Sequence, residues 1–338
     1  MMSVSSHRSE PSHGQRTCRR ADSSHEGVAR AEAIRGVRRA TFDTLIATVP
    51  IAVITFDFDS TVQLLGDLTV RWGSIALVAV LVGALVVAGL LARAGDLRAD
   101  DVAFVAVGIV PGAVIGARLG YLVMHGATFG SAPEKLLDPS IGGLELGLAV
   151  VGGFLTGSYV ASLLGPSVGR WLHLAALPVI FALGAGKLTM VLTGTGQGTP
   201  SGADWATAYL GPGPWGSLVP ALPSNPSQAY EGIGTLSVLA VLTVVVLLGG
   251  FRNRDGRLFF VAIGLWAIVR AAVSTTWRDP LAAGGLNAGG LIAVGIAIGC
   301  AVALLILTAR RRGPATDHAD DQPVDTVGWP DPETRPRF

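Results

Sequence analysis

The sequence predicts an all-α, polytopic integral membrane protein with seven transmembrane helices, its N-terminus outside the membrane and its C-terminus inside. The first observation is composition: 50% of the 338 residues are hydrophobic, only 14% are charged, and the mean hydropathy is +0.53. Soluble domains carry about 25% charged residues, so an ordinary soluble globule is excluded. The other two observations are a series of long apolar stretches and the distribution of arginines between the loops.

Seven apolar stretches are long enough, or nearly so, to cross a bilayer. A helix rises about 1.5 Å per residue, so about 20 residues cover the ~30 Å of hydrocarbon. In chain order these stretches are 72–92, 102–123, 144–164, 172–193, 233–250, 258–276 and 289–308. A shorter apolar run, 45–56, would reach only about 18 Å as a helix, and we expect it at the membrane interface.

Basic residues in the loops set the expected orientation. The loops after the second, fourth and sixth stretches hold only Lys135 and Arg278, and three consecutive arginines (310–312) follow the seventh stretch. Loops rich in Lys and Arg stay in the cytoplasm, so the C-terminus is expected inside and the start of the first helix outside. The loops after the first, third and fifth stretches hold Arg93, Arg98, Arg170, Arg252, Arg254 and Arg257.

The two ends of the chain differ from the membrane domain, which we assign to 42–308. Residues 1–41 carry eight arginines and no apolar signal-peptide core, and they are expected to form a disordered basic extension. Because arginines prefer the cytoplasm, either translation starts downstream, at Val28 or Val37, or the 45–56 run crosses as an eighth span. Residues 309–338, rich in Asp and Pro, are expected to form a disordered cytoplasmic tail.

A few ionisable residues interrupt the apolar stretches. Each costs about 2.5–3.5 kcal/mol to insert, so they are functional candidates. Arg118, Lys187 and Arg270 lie within stretches, while Arg278 and Glu231 flank them. The cations could hold a lipid phosphate, and Glu231 could orient a cation or accept a proton. Alternatively, the cations snorkel to the headgroups and Glu231 stabilises a helix N-terminus.

The surroundings of these charges leave two kinds of site open. Glu145 opens the third stretch and is interpreted as a partner of the helix dipole. Several helices are rich in glycine, which allows close helix approach. The pattern suits a cavity for an anionic headgroup with two acyl tails, and it also suits a small transporter with broken helices.

Five sequence blocks carry a resemblance to a known family. In this order they resemble the motifs of prolipoprotein diacylglyceryl transferase, a multi-pass enzyme of the bacterial plasma membrane. The parallel covers most of the chain, from about Leu45 to Thr308. The blocks are GARLGYLV (116–123), LAVVGGFLTG (148–157), GKLTMVLTGTGQG (186–198), NPSQAYE (225–231) and IVRAAVSTTWRDP (268–280).

The resemblance implies a reaction and a set of site residues. The family moves a diacylglyceryl group from phosphatidylglycerol to the lipobox cysteine of a preprolipoprotein, with glycerol phosphate as the other product and no cofactor, metal or nucleic acid. By this resemblance Arg270, Arg278 and Glu231 would be catalytic, and Lys187 and Arg118 would bind the lipid phosphate. The site would be lined by Gly152, Gly153, Gly198, Gln228, Tyr230 and Asn225.

Several motif positions depart from the family pattern. The family has His, Asn and Glu at the positions occupied by Val151, Met190 and Thr195. Lys187 and Asn225 stand where it has Arg and His, and Gly73 replaces an aromatic residue. Two main hypotheses follow: an active transferase with a rearranged site, or an inactive relative that binds phosphatidylglycerol or lipoprotein precursors. A small-solute transporter is the third, although the sequence shows no inverted repeat.

Overall fold

The fold is that of a computed structural model, which describes residues 53–66, 68–126 and 143–312. Seven α-helices dominate these residues; of the six short strands, three precede the first helix and three lie in the connections between later helices. The helices are α1 (Trp72–Ala94), α2 (Ala99–Met124), α3 (Leu146–Ser162), α4 (Val168–Thr189), α5 (Ser227–Leu247), α6 (Arg257–Ser274) and α7 (Ala288–Arg312). The strands are β1 (Ile54–Phe56), β2 (Thr61–Leu65), β3 (Leu68–Arg71), β4 (Thr207–Tyr209), β5 (Leu281–Ala283) and β6 (Leu286–Asn287).

The helices confirm the prediction of an all-α polytopic membrane protein. Within the described residues, six helices are long and apolar enough to span a bilayer, namely α1, α2, α4, α5, α6 and α7. Helix α3 is apolar but has only 17 residues, which corresponds to about 26 Å. Large side chains such as Val78, Leu90 and Val107 are more than half exposed on the outer faces. Because no water hydrates the hydrocarbon core, helices with apolar outer faces suit it.

Glycines bring α2 and α3 into backbone contact. A Cβ atom on Gly152 would lie 2.0 Å from the carbonyl oxygen of Gly112, and one on Gly116 would lie 2.1 Å from that of Leu148. A Cβ atom on Gly153 would meet the Ile109 side chain at 2.9 Å. Gly152 and Gly153 therefore serve a helix–helix contact, of the kind that small residues allow in membranes.

The apolar core lies where α6 packs between α4, α5 and α7. Trp266 and Ala262 of α6 and Ile180 of α4 are fully buried there. A second apolar cluster joins α1 and α4 around Ala92 and Trp171. The first cluster holds together α4 and α6, the helices that carry Lys187 and Arg270, while the second packs the opposite end of α4.

The short strands build a cap at one end of the helices. Strand β1 pairs in parallel with β4. Strands β2 and β3 form one antiparallel hairpin, and β5 and β6 form another. Phe56 of β1 stacks on Tyr209 of β4, with ring centroids 4.9 Å apart. The run 45–56, expected at the interface, ends in β1, and its residues 45–52 lie outside the described residues. The 1–41 extension and the tail from 313 also lie outside them, and α7 continues to Arg312.

Candidate active site

A polar cavity of about 530 Å³ opens beneath the cap. Its walls come from the ends of α2 and α4, the starts of α3 and α5, the segment after α6 and the loop before α5. Three carboxylates (Glu145, Glu231 and Asp279) and three cationic side chains, among them Arg270 near the end of α6, face one space. The lining includes Tyr121, His125, Glu145, Lys187, Met190, Gln197, Gln228, Glu231, Arg270, Trp277, Arg278 and Asp279.

Glu231 is the centre of the charged cluster. Its carboxylate is fully buried in the first turns of α5, and it accepts a hydrogen bond from Nη1 of Arg270 at 2.7 Å. Its other oxygen lies 3.0 Å from Nζ of Lys187, at the last turn of α4. Buried charges are stable only when paired, so this one carboxylate holds two cations at fixed positions.

Glu145 is the second carboxylate of the cluster. It caps α3, accepting hydrogen bonds at 2.6 Å from the backbone N–H groups of Gly147 and Leu148. Its Oε1 also accepts from Nη2 of Arg270 at 2.9 Å. Arg270 therefore bridges two carboxylates from different helices. The sequence indicated the helix-dipole role of Glu145 but not its ion pair, because its partner lies 125 residues away.

Trp277 covers the two cations from the side of the cap. Its ring centroid lies 4.6 Å from Cζ of Arg270 and 5.8 Å from Nζ of Lys187. Such contacts contribute about 0.5–1 kcal/mol at exposed sites and about 2 kcal/mol when they are desolvated. Lys187 and Arg270 thus keep their positions by packing as well as by charge, although neither had a visible partner in the sequence.

Arg278 ties the loop before α5 to the segment after α6. Its Nε donates to the carbonyl of Gly198 at 2.5 Å, and its Nη2 donates to Oγ of Ser224 at 2.9 Å. Gln197 Oε1 accepts from Oγ of Ser217 at 2.7 Å and lies 3.4 Å from the same Nη2. Because part of the guanidinium is engaged in this way, its remaining donors face the cavity in a defined direction.

Gln228 presents an unused acceptor to the interior. Its Nε2 donates to the Tyr209 hydroxyl at 3.1 Å, while its buried Oε1 has no hydrogen-bond partner among the described residues. Burial raises the pKa of Tyr209 to about 12, and the hydrogen bond with Gln228 acts in the opposite direction. The phenol is therefore neutral throughout the physiological range and holds the Gln228 amide in place.

The other predicted site residues lie outside the cavity wall. Arg118 lies over the Tyr121 ring, with its Cζ 5.9 Å from the centroid. Asn225 bonds to Thr199, and Tyr230 is half-buried on α5. Gly198 contributes its carbonyl to Arg278, and Gly152 and Gly153 contribute the α2–α3 contact.

The departures at Val151, Met190 and Thr195 occupy different places. Met190 lines the polar cavity. Val151 instead lines a separate apolar cavity of about 660 Å³ beside α6 and α7. Thr195 accepts a hydrogen bond from Oγ1 of Thr193 at 2.9 Å within the loop before α5. The cavity therefore gains no basic group at the three positions where the family pattern has His, Asn and Glu.

One histidine that sequence reasoning missed does line the cavity. His125 caps the C-terminus of α2, its ring stacks on Tyr121 at 4.1 Å, and its Nδ1 lies 3.1 Å from the Tyr121 carbonyl oxygen. A carbonyl only accepts hydrogen bonds, so Nδ1 carries the proton and Nε2 of the neutral ring is left as the basic nitrogen. In the sequence, His125 directly follows the block GARLGYLV and Met124. This position, at the end of a helix that carries a family-like block, was the one feature that could have indicated a place in the site.

Metal chemistry has no visible donor set in the described part of the chain. Residues 53–66, 68–126 and 143–312 contain no group of three or more His, Cys, Asp or Glu side chains placed to hold an ion. The charged cluster is instead self-compensating, because Lys187 and Arg270 face the two carboxylates of Glu145 and Glu231. A phosphate that enters would compete with these carboxylates for the same cations.

Comparison with known proteins agrees with this architecture. The chain is 29% identical over 229 residues to a phosphatidylglycerol–prolipoprotein diacylglyceryl transferase of Geobacter sulfurreducens, a match that covers 67% of this chain and 84% of the relative. It is 26% identical over 257 residues to proteins of the same name from a Nostoc species and from Trichormus variabilis, covering 73% of this chain and 89% of each relative. The family model for prolipoprotein diacylglyceryl transferase matches residues 60–307. The chain belongs to the prolipoprotein diacylglyceryl transferase family.

Proposed function

We propose that the protein transfers the diacylglyceryl group of phosphatidylglycerol to the lipobox cysteine of a prolipoprotein. The observation that carries this proposal is the buried cluster of Lys187, Arg270, Glu145 and Glu231 at the wall of one cavity. It places two fixed cations inside a membrane domain, where a lipid phosphate can reach them. The family and the names of the relatives supply the substrate classes.

The proposed arrangement in the membrane has seven spans, with the N-terminus outside and the C-terminus inside a bacterial plasma membrane. The cavity lies at the end of α4 that carries Lys187, whereas Arg170 lies in the first turn of the same helix. By the distribution of arginines, the Arg170 end faces the cytoplasm and the cavity faces outward. Prolipoproteins would then meet the site from the outer side.

Lys187, Arg270 and Arg278 would hold the phosphate. Lys187 acts as a point charge, and the two guanidinium groups offer paired N–H donors that match phosphate oxygens. Glu231 would keep Lys187 and Arg270 in position and would compensate their positive charges again when the phosphate leaves. Arg118, which lies outside the cavity wall over the ring of the wall residue Tyr121, would attract the anionic headgroup as it approaches.

His125 would accept the proton of the substrate thiol. Its Nε2 takes the proton from the cysteine S–H. The resulting thiolate attacks the carbon of the diacylglyceryl group that bears the phosphate oxygen. A C–S bond forms, the C–O bond breaks, and the electron pair leaves with glycerol phosphate. The proton on His125 then passes to the leaving phosphate or to water. The cations that held the substrate phosphate also stabilise the charge on the leaving group.

The substitution His125→Asn tests this assignment. Asparagine can donate from its amide to the Tyr121 carbonyl as Nδ1 does, but it supplies no basic nitrogen. Removal of a general base lowers rates by about 10²–10⁴-fold. We expect that loss in His125→Asn, and partial recovery by added imidazole in His125→Ala. Full activity of the asparagine variant would remove His125 from the mechanism without affecting the proposed function.

A second candidate function is a non-catalytic relative that binds phosphatidylglycerol or lipoprotein precursors. The specific observation in its favour is that Val151, Met190 and Thr195 replace the polar residues of the family pattern. Such a protein would use the same cations to hold lipid but would not turn it over. It predicts that lipid purifies with the protein in a manner dependent on Lys187 and Arg270.

Rescue of a bacterial strain depleted of its own transferase separates the two functions. The active enzyme restores growth and lipoprotein modification, whereas Lys187→Ala, which leaves Glu231 without one of its cations, does not. Arg252→Ala, at an exposed loop away from the cavity, is the matched control and should rescue like the unchanged protein. Lack of rescue by the unchanged protein, combined with lipid that purifies with it, would favour the binding function.

A further inference from the structure

A second charged site lies at the other end of α4. It is a slot of about 190 Å³, which we call the basic slot, with Arg170, His173 and Arg254 among its lining. Along α4, Arg170 and Lys187 are about 25 Å apart, so the basic slot is separate from the polar cavity. Leu91, Leu174 and Leu258 are among the residues that form its apolar floor.

The two arginines of the basic slot converge on one backbone oxygen. Nη2 of Arg170 donates to the carbonyl of Gly95 at 2.7 Å, and Nη1 of Arg254 lies 3.4 Å from the same oxygen. A guanidinium has five N–H donors, so each arginine keeps donors for a second acceptor. Among the described residues, no carboxylate lines the slot, and the nearby Asp255 is in an ion pair with Arg257 at 3.1 Å.

Two further observations indicate that an acceptor belongs there. Nδ1 of His173 is buried and has no hydrogen-bond partner among the described residues, although a buried polar atom normally has one. Arg254 also adopts a φ of +47°, a left-handed conformation that costs an ordinary side chain about 1–2 kcal/mol. Strain of this kind is retained at binding sites more often than elsewhere.

We infer that the basic slot binds the phosphate group of a membrane phospholipid, with the first part of an acyl chain on the leucine floor. A phosphate oxygen accepts from the spare donors of Arg170 and Arg254 and from His173. The apolar floor between α1, α4 and α6 favours a lipid over a free phosphate ion, because only a lipid covers it. Basic pockets between transmembrane helices are suited to such headgroups. The site does not depend on transfer chemistry in the cavity.

Native mass spectrometry of the full chain tests the inference. The probe is phosphatidic acid, whose headgroup is the phosphate alone, and inorganic phosphate is the competitor. Removal of two arginine contacts in Arg170→Ala/Arg254→Ala should weaken the binding of one lipid molecule at least roughly tenfold. Arg252→Ala removes one positive charge from the loop that carries Arg254, but Arg252 lies outside the slot, so this variant should leave that lipid bound.

Four results would overturn the inference. Equal weakening by Arg252→Ala would show general attraction to surface charge, and unchanged binding in the double variant would show no site. Displacement of the lipid by inorganic phosphate would show a free-anion site. Should the double variant not fold, His173→Phe keeps a ring in the half-buried position but removes both nitrogens. We expect it to weaken the lipid, and unchanged affinity in this variant would contradict the inference as well.

Discussion

The substitution Glu231→Gln removes the charge that holds the site together while keeping its shape. In the native cluster, Glu231 and Glu145 compensate Lys187 and Arg270. After the substitution, two cations face one carboxylate. The amide N–H group of the glutamine also places a hydrogen-bond donor beside the donors of Lys187 and Arg270. The side chain of Glu231 is fully buried, so water cannot compensate the lost charge.

The magnitude follows from that burial. Removing one partner of a buried ion pair costs about 3–5 kcal/mol, because the other charge is left uncompensated. Native proteins are stable by only about 5–15 kcal/mol, so the variant should lose a large fraction of its stability. A second substitution, Lys187→Met, removes the extra cation, and Arg270 and Glu145 then compensate each other. We expect the double variant to recover most of the lost free energy.

Thermal unfolding in detergent and in lipid nanodiscs measures both variants. We expect a clear fall in the melting temperature for Glu231→Gln and a higher value for Lys187→Met/Glu231→Gln. With the single variant Lys187→Met measured as well, the four proteins form a double-mutant cycle that isolates the coupling between the two side chains. A Glu231→Gln variant as stable as the unchanged protein would refute the reasoning that this ion pair is buried and compensated.

Three further predictions concern packing, protonation and the loop. Gly152→Val places its Cβ 2.0 Å from a backbone oxygen and should prevent accumulation of folded protein, while Gly89→Ala, with nothing within 4 Å, should be tolerated; equal yields would contradict the α2–α3 contact. Since burial raises the pKa of Tyr209 from 10.0 to about 12, its contribution to stability is complete below pH 10 and lost as pH rises towards 12. Between pH 10 and pH 12, the free energy of unfolding should fall less steeply with pH in Tyr209→Phe than in the unchanged protein. Identical slopes would contradict the raised pKa of Tyr209. Arg278→Lys replaces Nε on Gly198 and Nη2 on Ser224 by one ammonium nitrogen on a flexible stem, which does not reproduce the fixed geometry of the two bonds, and it should speed proteolysis of the loop 194–226. An unchanged rate would show that Arg278 does not hold the loop.

Hydropathy predicted the helices well because a bilayer leaves a backbone few alternatives to a helix. Among the predicted helix boundaries, the start of α5 was the least accurate, because it was predicted at residue 233 and the helix begins at Ser227. The first turns of α5 contain Gln228 and Glu231, which are polar yet buried in the site. A hydropathy pattern places polar residues outside a membrane span, so it shortens a helix where function places polar groups inside.

The site could be predicted only in part. Lys187, Arg270 and Glu231 stood out because charges are expensive in a membrane, and each lines the polar cavity. Their pairing did not stand out, because the Arg270–Glu145 contact joins α6 to α3 across the bundle. His125 gave no signal of this kind, since it lies just beyond a helix end where a histidine costs little. The pairing of the charged residues and the place of His125 in the cavity therefore required the three-dimensional structure.

The central claim is that the charged cavity transfers a diacylglyceryl group, and transfer in a purified system tests it most directly. The protein, phosphatidylglycerol vesicles and a synthetic lipobox peptide are mixed, and the peptide mass and released glycerol phosphate are followed together. We predict that the peptide gains one diacylglyceryl group for each glycerol phosphate released, with Lys187→Ala inactive and Arg252→Ala active. A folded, lipid-binding protein that leaves both the peptide and the phosphatidylglycerol unchanged would contradict the claim.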